Sequence, residues 1–404
     1  MVKQRYDSVD VLRALALIGM VICHYPIFLS SGQGHDAMLY FLSNHLLGGD
    51  FAASWFVFLV GLCQALSSKK RNLTKSGDIG RTVTRGGLIF VIGLLFLLLV
   101  QGYGELWVWD ILTFIGATTI LLLPLRRTAS SWILLGCVAV VFVTPWLRSF
   151  VDLAPLYGGG FEPVSWISDF FPRFLFDPRE DYHGAQTVLH NVLGFFLIGQ
   201  FPIFPWIIFP LLGFVVGRRV SSNALAADTP FLVIIGTMFL FMGLFTAYAG
   251  SLRPDVSVAN DYIVPLSFYP ASFSMSLLLI GVVLLLYIFL HRQYDIRPEA
   301  TVADGLFLRY CRQISKYSLT IYITHFALFF IPLRIVEALT GVSYLKNLFD
   351  TTTAFLLSVL LLILYYPLLR WWDRAGGRYS FEWLLARVMA QYGKKPAPGL
   401  APGA

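Results

Sequence analysis

The feature that most constrains this chain is a series of ten apolar segments, each long enough to cross a hydrocarbon layer of ~30 Å. They fall at about 11–30, 51–67, 86–102, 109–125, 131–147, 201–217, 230–250, 269–290, 317–336 and 352–370. Backbone amides facing lipid must be satisfied within their own segment. The sequence therefore predicts an all-α fold, a polytopic transmembrane bundle of about ten spans. Only 13% of the 404 residues are charged and 57% are apolar, too little charge to cover a soluble surface of this size.

The net charge of +7 would suit a nucleic-acid partner if the cations formed one patch, but they gather in short runs between apolar segments. Lys69, Lys70, Arg71, Lys75, Arg81 and Arg85 follow the second segment, Arg126 and Arg127 the fourth, and Arg218 and Arg219 the sixth. Arg292, Arg297, Arg309, Arg312 and Lys316 follow the eighth. Every even-numbered segment thus ends in a basic loop. The rule that positive loops stay in the cytoplasm places both termini inside, and the pattern reads as membrane topology with no nucleic-acid partner; an integral protein of a bacterial inner membrane is the expected setting. Of 30 Lys and Arg residues, only Arg148, Arg173, Arg179, Arg253, Arg334 and Lys346 are expected outside.

The stretch 148–200 is the longest external segment and carries Asp177, Glu180 and Asp181. A re-entrant or amphipathic helix near 190–200 would raise the span count to eleven. Residues 1–390 read as one transmembrane domain, followed by a low-complexity tail, 391–404, expected to be disordered. The N-terminal apolar run carries Asp10 and Arg13 and lacks a small-residue cleavage site, so it is expected to be a retained helix. Cys23, Cys63, Cys137 and Cys311 show neither a disulfide framework nor metal-ligand spacing. No internal repeat is evident.

Ionisable groups within spans are costly and point to function. In the first span Asp10, Arg13, Leu17, Met20 or Val21, and His24 recur at helical spacing, a polar stripe from inner to outer end. Asp10 and Arg13 alone would also suit an i,i+3 pair at the inner interface. His45 and Asp50 lie just before the second span, which carries Ser54, Gly61 and Gln64 on one face. Small residues on that face suit close helix packing. An imidazole there can act as base or nucleophile beside an orienting carboxylate, and a solvated loop histidine is the plainer alternative. Asp110 opens the fourth span, where an N-cap is sufficient explanation. His190 and Asn191 precede the sixth. In the ninth, Ser318, Tyr322 and His325 face one way, a trio that interhelical hydrogen bonding explains as well as catalysis does. P-loop, GxGxxG, HExxH, GxSxG and CxxC patterns do not occur.

The stretches RYDSVDVLRALALIGMVICHY, the His45 loop leading into SWFVFLVG, WVWDILTFIGA, FPIFPWIIFPLLGFVVGR, SLTIYITHFAL and SFEWLLAR together resemble a family of membrane acyltransferases. That family includes heparan-alpha-glucosaminide N-acetyltransferase and the bacterial YeiB-type proteins. The resemblance implies transfer of an acyl group, commonly acetyl, from cytoplasmic acyl-CoA to a sugar amine or hydroxyl across the membrane. The family's catalytic histidine precedes the WFVF-type helix. His45 matches it here, with His35 as the next candidate, because the spacing to that helix is shorter than in the lysosomal enzyme. The lysosomal enzyme has an asparagine at the outer end of the first helix where this chain has His24.

The expectation from sequence is therefore an acyl-CoA-dependent acyltransferase. His45 would deprotonate the acceptor or carry the acyl group, Asp50 would orient it, and His24 and Asp110 would shape the acceptor site. Arg13, Arg81 and Arg85 would meet CoA phosphates. Acetyl-CoA or another acyl-CoA serves as co-substrate, no metal is required, and membrane lipid and a glycan or amino-sugar acceptor are the partners, with a homodimer left open. Two alternatives stand beside this. One is a transporter or flippase for a glycan or lipid precursor, for which FPIFPW could be a broken helix. The other is a polysaccharide O-acyltransferase of the second large membrane family, which would move the key residue to His24.

Overall fold

The computed structural model describes residues 5–32, 37–46, 49–70, 76–100, 106, 108–148, 192–251, 266, 268, 271–296, 305–342 and 344–390. Within these the chain is helical, with no strand. The helices are α1 (Asp7–Leu29), α2 (Ala37–Phe41), α3 (Gly49–Lys70), α4 (Ser76–Val100), α5 (Ile111–Leu121), α6 (Ser130–Arg148), α7 (Ile208–Ser221), α8 (Leu225–Ser251), α9 (Phe273–His291), α10 (Leu306–Lys316), α11 (Ser318–Thr340), α12 (Thr351–Arg374) and α13 (Phe381–Met389). His35, Arg71, Lys75, Arg173, Arg179, His190, Asn191, Arg253, Arg297, most of the 148–200 stretch and the 391–404 tail lie outside the described residues, as do the side chains of Asp50, Lys69 and Lys70.

Each of the ten apolar segments forms a helix, and eight of these helices are long and apolar enough to cross a membrane. Those eight are α1, α4, α6, Ile203–Ser221 (which includes α7), α8, α9, α11 and α12. The two that fall short are α3, whose apolar part is Phe51–Ser67, and α5, Ile111–Leu121. At 1.5 Å per residue α5 is only about 16 Å long, half a hydrocarbon layer. Its N-terminus with Asp110 is thereby held within the bundle instead of at its rim. A short π-helical turn, Gly194–Ile198, occupies the place where a re-entrant helix was expected.

Two expected basic loops are helical. The second apolar segment is followed by α4, which begins at Ser76, well before the apolar run at 86, and carries Arg81 and Arg85 on its first turns. The eighth is followed by the amphipathic α10, which buries Leu308, Cys311, Ile314 and Ser315 against α1 and α12.

The most extensive helix pair is α3 with α7. Gly61 and Gly213 make it possible: a Cβ on Gly61 would stand 1.8 Å from the Pro210 carbonyl oxygen, and one on Gly213 2.0 Å from that of Phe58. Backbone thus packs on backbone, as small residues allow in membranes. Gly213→Ala is expected to destabilise by about 1–3 kcal/mol, because neither carbonyl can retreat without separating the helices. Thermal unfolding in detergent checks this, and an unchanged midpoint would refute it.

The contacts among the described residues distinguish two ends of the bundle. At one end Arg218 donates to the carbonyls of Leu125, Arg126 and Thr128, tying α7 to the α5–α6 connection. Asp7 pairs with Arg312 through two 2.8 Å bonds, and Lys316 pairs with Asp373. This is the basic end. At the opposite, far end Ser30 bonds Thr351, and the backbone of Lys346 donates to the Phe28 carbonyl at 2.8 Å. Arg148 is also there, 5% exposed, donating to the carbonyls of Leu197, Ala271 and Phe204 at 3.1, 2.6 and 3.3 Å.

The SFEWLLAR stretch also has a structural reason. Ser380 caps α13, and Glu382 accepts from the Leu319 and Thr320 amides, 2.6 and 3.1 Å, and from the Thr320 hydroxyl at 2.5 Å. One helix thereby caps the first turn of another, a position where free amides and the helix dipole favour a carboxylate. Glu382→Ala strands these donors and is expected to cost about 1–3 kcal/mol. A melting curve matching the unsubstituted protein's would show the cap to be dispensable.

Candidate functional site

A cavity of about 780 Å³ runs between α1, α3, α4, α5, α11 and α13. Each wall helix presents one stripe to it. On α1 these are Arg13, Met20, Cys23, His24, Ile27 and Phe28, and on α3 they run from Gly49 through Ala53, Phe56 and Val60 to Ser67. On α4 they run from Asp78 through Arg81, Arg85, Ile89 and Phe96 to Val100. Steps of three and four residues put each set on one helix face. Along α4 the stripe covers about 33 Å, the thickness of a hydrocarbon layer.

The basic end of the cavity is lined by Arg13, Arg81, Arg85, Arg126 and Lys316, with Asp78 and Glu382. Arg126 donates to Asp78 and to the Thr82 hydroxyl, both at 3.1 Å. Arg13 donates to Ser315 Oγ at 2.8 Å and Cys63 Sγ at 3.2 Å. Asp10 is 3.9 Å from Arg13 and accepts from the same Ser315 hydroxyl at 2.6 Å, so the i,i+3 pair is bridged by α10. The stripe expected on α1 therefore divides: Arg13, Met20 and His24 face the cavity, while Asp10 faces α10.

At the far end His24 and Asp110 both line the cavity, and each is hydrogen-bonded to a side chain of α11. Asp110 caps α5 as the sequence suggested, one oxygen accepting from the Leu112 amide at 2.8 Å. Its other oxygen accepts from the Tyr322 hydroxyl at 2.5 Å. Three residues on, the fully buried His325 places Nε2 3.0 Å from His24 Nδ1, and its own Nδ1 lies 3.0 Å from the Ile321 carbonyl oxygen. The His24 and His325 rings are nearly parallel, 11° apart, and Phe326 packs on both. Gln200 and Lys346 complete the far mouth.

Residues 5–176 match the family model for heparan-alpha-glucosaminide N-acetyltransferase, catalytic. The match covers somewhat under half of the chain and contains α1 to α6, hence His24, Arg13, Arg81, Arg85, Asp110 and Arg126. It is consistent with a family of membrane acetyltransferases related to that enzyme and with the resemblance read from the sequence. No curated protein matches the chain. Tyr322, His325 and Glu382, which complete the cavity or support its residues, lie beyond the matched segment.

The structure brings together only part of the constellation expected from sequence. His45 is exposed in the π-helical turn Leu42–Leu46, its ring 4.9 Å from that of Phe41, and is not among the residues lining the cavity. Adjacency to a span in sequence does not say which way a turn faces. Of the expected phosphate-binding residues Arg13, Arg81 and Arg85 line the cavity, and Arg126 joins them. From its position after the fourth apolar segment, Arg126 was expected to act only in topology. His325 and Tyr322 did stand out by their spacing, but their pairing with His24 and Asp110, 301 and 212 residues away, carries no sequence signal.

Proposed function

We propose that this integral membrane protein transfers an acyl group, acetyl being the one the family implies, from cytoplasmic acyl-CoA to a sugar amine or hydroxyl on the other side of an inner bacterial membrane. The observation that carries this is one cavity with five cations at one end and a histidine–carboxylate cluster at the other. Loop charge assigns the basic end to the cytoplasm. There Arg13, Arg81, Arg85, Arg126 and Lys316 offer the donor set that phosphates require. At the far end His24 takes the proton of the acceptor as its nitrogen or oxygen bonds the acyl carbon and the C–S bond breaks. The departing thiolate is then protonated. Asp110, held by Tyr322 and the Leu112 amide, supplies an orienting carboxylate in the acceptor site. This reading moves the proton-handling role from His45 to His24.

Purified protein incubated with labelled acetyl-CoA and a panel of amino sugars and neutral sugars tests the reading. Cleavage of the thioester dependent on acceptor is expected. A transporter or flippase would leave the thioester intact, and transfer to hydroxyls alone would favour the polysaccharide O-acyltransferase alternative. The orientation has its own test in a background lacking the native cysteines. An impermeant thiol reagent added outside should label cysteine placed at Lys346 and spare cysteine at Arg127; the reverse would invert the protein and put the cations on the wrong side.

A further inference from the structure

We propose that His325 is a positioning residue that fixes the tautomer of His24, leaving Nε2 of His24 as the atom that takes the acceptor's proton. The role rests on the acyltransferase reading, but the geometry stands without it. A backbone carbonyl can only accept, so the 3.0 Å contact between His325 Nδ1 and the Ile321 oxygen requires a proton on Nδ1. In the neutral ring the other nitrogen, Nε2, then carries a lone pair. That lone pair lies 3.0 Å from His24 Nδ1, and two lone pairs cannot share that distance. His24 Nδ1 must therefore be the donor, and its own Nε2 is left unprotonated in the neutral ring.

The consequence is chemical. His24 belongs to the cavity wall, whereas His325 is fully buried and is not among the lining residues. Among the described residues no hydrogen bond is recorded to His24 Nε2. As the acceptor's nitrogen or oxygen attacks the acyl carbon, its proton passes to Nε2, and the imidazolium so formed keeps its Nδ1–H bond to His325. The thiolate released by C–S cleavage takes a proton back, so the pair ends as it began. The Ile321 carbonyl, one turn before His325 in the same helix, is the fixed reference for this order of donors.

The test uses the full chain in nanodiscs with ¹⁵N-labelled histidine, the His24 signals being assigned by their loss in His24→Asn. The expected spectrum shows a protonated Nδ1 and an unprotonated Nε2 for His24 at a pH where the ring is neutral. The opposite tautomer would overturn the proposal whether or not the protein turns over acyl-CoA. Activity then separates two replacements: His325→Gln keeps an acceptor for Nδ1–H and is expected to hold kcat within ~10-fold, whereas His325→Phe offers none and is expected to lose ~10²-fold or more. Equal activities in the two variants would also overturn it. If the expected tautomer is found but the unsubstituted protein never cleaves the thioester with any acceptor, the acyltransferase reading falls and the tautomer assignment stands.

Discussion

His24→Asn is expected to lower acyl transfer by ~10²-fold or more, with expression and acyl-CoA binding near those of the unsubstituted protein. The reason is the position of the ring. His24 is the histidine among the described residues that lines the cavity, and it does so at the end opposite the five cations. A base there must accept a proton from the acceptor, which an asparagine amide cannot do. The substitution is informative because the lysosomal enzyme that this chain resembles carries asparagine at the corresponding place. If His24→Asn keeps most of its turnover, the site works with its base elsewhere, and His45→Asn or His35→Asn should then abolish activity. The reading advanced above expects His45→Asn to be nearly silent, since His45 is exposed and packs on Phe41 outside the cavity lining.

The largest effect on stability is expected at Arg148. Three carbonyls, of Leu197, Phe204 and Ala271, come from separate parts of the far end and converge on one guanidinium. In Arg148→Met the apolar replacement fills much of the space but leaves those oxygens buried without this donor, at about 1–3 kcal/mol for each unsatisfied group. A total of several kcal/mol is a large fraction of the stability of most folds. The melting midpoint in detergent should fall by more than about 5 °C. Arg148→Lys should recover only part of the loss, because an ammonium lacks the planar fork that reaches three directions at once. A midpoint unchanged in Arg148→Met would show that the far end holds together through its aromatic packing alone.

The apolar segments were legible because lipid imposes a length and a composition that propensity alone does not, and all ten positions are helical. What the sequence could not give was how far each helix reaches. Ser76 to Arg85 reads as a polar loop, yet it continues α4 and so places Arg81 and Arg85 on the cavity stripe. The candidate site divides along the same line. His24 and Asp110 were visible as costly groups in apolar surroundings, and the structure puts both on one cavity. The pairing itself was not visible, since bringing Tyr322 to Asp110 and His325 to His24 depends on the axial offset and rotation of helices joined through hundreds of residues. Glu382 is the extreme case: a carboxylate in a short helix whose amide donors belong to α11, 63 and 62 residues earlier.

That cap carries a consequence for the order of events during synthesis. Membrane helices insert as they emerge, so α1, α4 and α5 can be in place while the rest of the chain is still unmade. The first turn of α11, which sets the height and rotation of Tyr322 and His325, lacks its acceptor until residue 382 has left the ribosome. A nascent protein stalled before that point would hold its cations and its long cavity walls but not a settled histidine pair.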